Sequence, residues 1–248
     1  MMMPMIFRKV NKTLTTRGLK GTARYLMTSD LRDIMRSAFV PRSKGRSQIH
    51  KFDREYEGID TSGVVDLSEV SLDGQSWKYG HGYQAVNWRG FMELFDQLDI
   101  DHSEFVFIDV GSGKGRALLL ASSYPFKEVI GVELVEEWHR IAEENIRKFP
   151  DAEKKCKNIR SVCSDALSYD LPDEPLVIFF YNPFTAPLVE SFVQKVLDLQ
   201  HKYRQLIYVV YFQDLHAEIF RQKGLKPFQA GELLEDSWSM YKLGSLEA

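Results

Sequence analysis

Apolar and polar positions along the chain fall into two regimes, irregular up to about residue 104 and regular beyond it. Phe105-Val106-Phe107-Ile108-Asp109-Val110 is a short apolar run ending in glycines, the pattern of a strand buried on both faces. Residues 117–121 continue it as an apolar helix, and residues 128–133 read as a second strand. Trp138, Ile141, Ala142, Asn145, Ile146 and Phe149 then recur at helical spacing, with Asn145 the one polar member of that face. Further strands are predicted over 159–163, 176–180 and 206–211, with a helix over 187–199 between the last two. The tail breaks the rhythm: residues 224–231 and 237–243 read as two strands with little between them. The pattern predicts an α/β fold, a doubly wound seven-stranded, mostly parallel sheet closed by a C-terminal antiparallel β-hairpin.

The irregular part divides further. A helix is predicted over 86–98, where Phe91, Leu94, Phe95 and Leu98 mark an apolar face, and residues 52–80, rich in Gly, Asp and Ser, read as irregular. The first 54 residues hold two weakly helical pieces. In the second, Leu31, Ile34, Met35, Ala38 and Phe39 keep helical spacing, with Ser29 or Asp30 as N-cap and Pro41 beyond the end. Residues 41–47 contain no apolar side chain and read as a basic linker. The expected organisation is therefore a basic, partly helical arm over 1–54, a lead-in with the first helix over 55–104, and the regular α/β domain over 105–248.

Charge sharpens that division. The 248 residues carry a net charge of −3, but residues 1–54 hold 13 Lys/Arg against 3 Asp/Glu, and the remainder 19 against 32. A cationic arm on an acidic domain suits contact with phosphates, with an anionic membrane surface, or with the domain itself. A hydrophobic content of 44% excludes disorder for the bulk of the chain. Cys156 and Cys163 make no disulfide framework and lack the spacing of a zinc site. No apolar run approaches the roughly 20 residues that span a bilayer, and the N-terminal apolar stretch is cut short by Arg8 and Lys9. The expectation is a cytoplasmic protein that is not transmembrane; oligomeric state has no signal.

The chemistry concentrates in Asp109-Val110-Gly111-Ser112-Gly113-Lys114-Gly115-Arg116. It is not a Walker A loop, because Lys114 is followed by Gly115 and position 108 is Ile; nor is it the dinucleotide fingerprint, because position 116 is Arg. Asp109 at the strand end would repel a pyrophosphate and suits a cationic ligand. Glu133 ends the next strand, where an acid can accept hydrogen bonds from both hydroxyls of a ribose. Asp165, in Ser164-Asp165-Ala166, closes the third strand.

Together these residues resemble the class I, Rossmann-like S-adenosylmethionine-dependent methyltransferases, over about residues 80–243. The resemblance implies that Asp109, Gly111, Ser112 and Gly113 hold the methionine part of S-adenosylmethionine, and that Glu133 and Leu134 hold the ribose. It likewise implies that Asp165 and Ala166 hold the adenine, while Tyr83 closes over the methionine end. Phe179-Phe180-Tyr181-Asn182-Pro183-Phe184 resembles the Asp/Asn-Pro-Pro-Tyr/Phe acceptor motif of amino-methylating enzymes with one Pro fewer, and also a segment of the non-SET histone lysine methyltransferases. By that likeness Asn182, Pro183 and Phe184 form the transfer site, with N-methylation of an amine or amide and S-adenosylhomocysteine as product. The acceptor, whether protein, nucleic acid or small molecule, is unspecified. No metal constellation is apparent in the sequence. Aminopropyl transfer on the same fold and a non-catalytic module that binds cofactor or a partner are the competing readings.

Overall fold

The computed structural model describes residues 52–65, 83–181, 184–234 and 236–245. The helices and linker expected in the arm lie outside them, as do Asn182 and Pro183. Seven strands form one sheet: β3 (Val106–Val110), β4 (Glu128–Glu133), β5 (Ile159–Cys163), β6 (Leu176–Tyr181), β7 (Ile207–Phe212), β8 (Gln229–Leu233) and β9 (Asp236–Leu243). Their order is β5-β4-β3-β6-β7-β9-β8. All neighbours are parallel except β7–β9 and β8–β9. Ahead of them, β1 (Val64–Val65) pairs with β2 (Tyr83–Gln84) in a separate antiparallel ribbon.

Period-two alternation divides each central strand between two cores. Phe107, Val129, Val177, Phe179 and Val210 enter one cluster with α1 (Trp88–Asp96) and α2 (Arg116–Ala121). Val106, Ile108, Ile130, Ile178 and Val209 enter the other, against α4 (Ala186–Tyr203) and α5 (Ala217–Gln222). With both faces covered, β3, β6 and β7 need no polar positions toward water, which is why they read as continuous apolar runs. The helix α3 (Glu136–Lys148) joins β4 to β5.

Several boundaries differ from the sequence reading for identifiable reasons. The first helix begins at Trp88, because the Asn87 side chain accepts from the N–H groups of Arg89 and Gly90 and caps it. The strand expected from 224 begins at Gln229, two residues after Pro227, which has no N–H to give a ladder. The six-residue α5 buries only Phe220, too little to register as a period, and the two-residue strands of the ribbon are too short to show alternation. No helix among the described residues is long and apolar enough to cross a membrane.

Candidate functional site

The C-terminal ends of β3, β4, β5 and β6 lie side by side, and the predicted cofactor residues gather there. Parallel register pairs Val110 with Val132 and with Phe180, so the glycine turn after β3 stands between the ends of β4 and β6. The turn is pinned to β4: Gly111 and Ser112 donate their N–H groups to the carbonyl of Val132, at 2.9 and 3.2 Å. Gly131 makes room for it, since a Cβ there would stand 2.6 Å from Ser112 Oγ and 2.7 Å from Leu118 Cδ1.

Glu133 is 4% exposed and reaches back to the turn. Gly113 N–H donates to its Oε2 at 2.7 Å, and Val135 N–H to its Oε1 at 2.7 Å. The Leu134 N–H also serves this carboxyl, and of its roughly four acceptor sites one remains for a ligand hydroxyl. Burial pushes the Glu133 carboxyl up to about 7, against the pull of the backbone N–H groups. Asp109, also 4% exposed, has no hydrogen-bond partner among the described residues. Burial first, and the charge of Glu133 second, raise its carboxyl well above the usual carboxylate range. Ser112 Oγ is likewise buried without a partner. Unsatisfied polar groups at the mouth of a strand crevice call for a ligand with donors and positive charge, and the donor set fits the methionine and ribose parts of S-adenosylmethionine.

At β5 the Ser164 N–H donates to the carbonyl of Glu133 at 2.9 Å, which sets Asp165 beside the end of β4. One oxygen of Asp165 accepts the Leu167 N–H at 2.8 Å and caps a short turn; Ala166 is buried and Leu134 partly exposed. That turn has an anchor the sequence did not disclose. Lys195, from α4, donates to the carbonyls of Ala166 (3.1 Å), Leu167 (2.8 Å) and Tyr169. Phe184 is buried in the cluster of α4, with Leu188 and Phe192. Tyr181, at the end of β6, accepts from Gln84 Nε2 at 3.0 Å and from Gln213 Nε2 at 3.3 Å.

Tyr83 lies directly on the turn: a Cβ on Gly113, whose φ is +54°, would stand 2.3 Å from two atoms of its ring. Its other ring neighbour is Trp138, at 5.6 Å between centroids. Behind Tyr83 is a strap, residues 53–62, within the Gly-, Asp- and Ser-rich stretch whose composition predicts irregular structure. Asn145 ties it to the turn, accepting from Asp60 N–H at 2.9 Å and donating to the carbonyls of Asp60 (2.8 Å) and Lys114 (2.9 Å). Lys114 Nζ pairs with Asp60 at 2.9 Å, and the buried Arg116 with Asp53 at 2.9 Å. Burial opposes the charge on Asp53, but hydrogen bonds from Ser62 and Thr61 and the Arg116 cation outweigh it and hold the carboxyl low. Two sequence signals mark this tie: the lone Asn on an apolar helix face, and the lone Arg heading Arg-Ala-Leu-Leu-Leu-Ala. Among the described residues no three His, Cys, Asp or Glu side chains gather as a metal site would require.

Comparison with known proteins agrees with this geometry. Residues 103–186 match the family model described as "Putative methyltransferase". No curated protein matches the chain. Among solved structures, a predicted N6-adenine-specific DNA methylase from Listeria monocytogenes is 12% identical, with a TM-score of 0.50 over 63% of this chain and 51% of its own; this chain spans about half of it. A SAM-dependent methyltransferase from Aquifex aeolicus is 14% identical, with a TM-score of 0.48 over 62% of this chain and 89% of its own. An RNA methyltransferase from Salinibacter ruber, in complex with S-adenosyl-L-homocysteine, is 18% identical, with a TM-score of 0.46 over 64% of this chain and 92% of its own. Over residues 103–186 the chain is therefore similar to that methyltransferase family, and its strand order is that of an α/β, Rossmann-like methyltransferase fold.

Proposed function

We propose that the chain transfers the methyl group of S-adenosylmethionine to a nitrogen of its acceptor and releases S-adenosylhomocysteine. One observation carries the reading of the cofactor end: two buried carboxyls, Asp109 and Glu133, flank a glycine turn at adjacent strand ends, and the first lacks any partner among the described residues. In this reading Asp109, Gly111, Ser112, Gly113 and Tyr83 line the methionine end. Glu133 and Leu134 take the ribose, and Asp165 and Ala166 the adenine edge.

When bound, the cofactor supplies a sulfonium methyl whose in-line displacement moves positive charge off sulfur. The chain's own task is alignment, which is worth about 7–11 kcal/mol of such a barrier. By likeness to the acceptor motif, Asn182 accepts hydrogen bonds from the acceptor N–H groups, with Pro183 and the buried Phe184 completing the motif. An amine that arrives neutral needs no general base from the chain. The basic arm, 1–54, offers an anionic partner, nucleic acid or membrane, a cationic contact.

Calorimetry with S-adenosylhomocysteine tests the cofactor end, and transfer of a tritiated methyl group to RNA, protein and small-molecule fractions tests the reaction. The expected result is binding, label in one fraction, and an Asn182→Ala variant that binds S-adenosylhomocysteine but no longer transfers. Failure of the wild type to bind would overturn the cofactor reading; full transfer by Asn182→Ala would overturn the N-methylation assignment. Deleting residues 1–50 should abolish salt-sensitive binding to RNA or to anionic vesicles, and unchanged binding to both would remove the role given to the arm.

A further inference from the structure

The turn after β3 is tied, at alternate positions, to a segment that the sheet does not need. Ser112 points toward Gly131, whereas Lys114 and Arg116 reach the strap. Arg116 is the unusual one. It is 2% exposed and opens α2, where the helix dipole disfavours a cation and every other helix residue is apolar. A guanidinium held there requires an anion and filled donors. Asp53 gives the anion, at 2.9 Å from Nη2; Thr61 Oγ1 accepts from Nε at 2.7 Å, and the Val86 carbonyl from Nη1 at 3.3 Å.

Thr61 carries the tie onward. Its own hydroxyl donates to Asp53, and its carbonyl accepts the Tyr83 hydroxyl. The Tyr83 ring lies on Gly113, whose N–H holds the Glu133 carboxylate. Direct contacts therefore run from Asp53 through Arg116, Thr61, Tyr83 and Gly113 to Glu133, the carboxylate assigned to the ribose. A staple that served stability alone would have no reason to end on the cofactor turn.

Resting on the methyltransferase reading, we infer that Arg116 is a positioning residue for the cofactor: it seats the strap, and through Thr61 and Tyr83 the strap fixes the glycine turn and Glu133. Strap closure and cofactor binding are then coupled, and the coupling is reciprocal. S-adenosylhomocysteine should tighten the strap, and loosening the strap should weaken S-adenosylhomocysteine. The strap lies outside residues 103–186, so the matched segment alone does not contain the complete site.

The test uses the full chain with S-adenosylhomocysteine as probe. Hydrogen exchange should show added protection over 53–62 on binding, as well as over 111–115 and 133–135. Arg116→Gln and Tyr83→Phe should each weaken binding at least tenfold, while Lys127→Gln, which breaks an exposed pair with Glu174, should not. Tyr83→Phe keeps the ring on Gly113 and removes only the hydroxyl, so it decides the matter if Arg116→Gln fails to fold; Arg116→Lys should restore part of the affinity. Titration of intrinsic tryptophan fluorescence, compared with that of a Trp138→Phe variant, gives a second readout, because Tyr83 packs on the Trp138 indole. Variants that melt earlier yet bind S-adenosylhomocysteine as the wild type does, with no ligand protection over 53–62, would overturn the coupling and leave a structural staple. No binding by the wild type would instead overturn the reading on which the coupling rests.

Discussion

Replacing Gly113 by Ala isolates the contact between Tyr83 and the glycine turn. Two terms add. The φ of +54° is in the left-handed region, which disfavours an L side chain by roughly 1–2 kcal/mol. The new Cβ would also stand 2.3 Å from Cδ2 and Cε2 of Tyr83, so the ring must move, and overpacking of this kind costs about 1–3 kcal/mol. A loss of about 3 kcal/mol lowers the melting temperature of a domain this size by about 6–12 °C. Gly224 is the control: its φ is +81° but nothing lies within 4 Å of a Cβ there, so Gly224→Ala carries only the backbone term, about 1–2 kcal/mol. In a Tyr83→Ala background the packing term vanishes, and Gly113→Ala should cost no more than Gly224→Ala. Thermal unfolding followed by circular dichroism measures the wild type, the three single variants and the double variant. If Gly113→Ala costs the same with and without the Tyr83 ring, Tyr83 does not rest on the turn and the closed site described above is wrong.

Two further outcomes follow from the strand-end groups. The folded Glu133 carboxyl sits at about 7, above its unfolded value near 4.3, so the stability linked to its protonation is full below the unfolded value and lost as pH rises through about 7. Melting of the cofactor-free protein should fall with pH across that window, less so in Glu133→Gln, and a flat profile would contradict the burial. In the proposed binding mode, a ribose hydroxyl donating to Glu133 and an ammonium near Asp109 would favour the ionised carboxylates. Binding of S-adenosylhomocysteine should therefore release protons and tighten as pH rises through about 7, which calorimetry in buffers of different ionisation enthalpy would read. Lys195→Met removes the cation that gathers the carbonyls of Ala166, Leu167 and Tyr169. It should cost about 1–3 kcal/mol of stability and raise hydrogen exchange over 165–169; unchanged exchange there would show that the turn holds itself.

The centre of the sheet is legible because β3, β4, β6 and β7 are buried on both faces, and that requirement writes itself as apolar runs. Asp109, Glu133 and Asp165 were readable for a related reason: a carboxylate at the end of such a run has no packing role and stands out. The strap was not, because its hold on the turn is made by side chains far apart in sequence, Asp53 with Arg116 and Asp60 with Asn145. Its own residues, Gly, Asp and Ser among them, carry no period. Lys195 is hidden differently, as one of two lysines on a helix whose outer face is otherwise polar, where nothing marks it as an anchor.

The strap also bears on the order in which the molecule is assembled. Its anchors are 63 residues apart at Asp53–Arg116 and 85 at Asp60–Asn145, with β3, α2, β4 and α3 encoded around or between them. Contacts of that separation form only after the loop they close has been ordered. During synthesis Asp53 waits until Arg116 at the head of α2 has been made, and Asp60 until α3 brings Asn145. The nascent glycine turn is thus made before both ties of the strap can hold it.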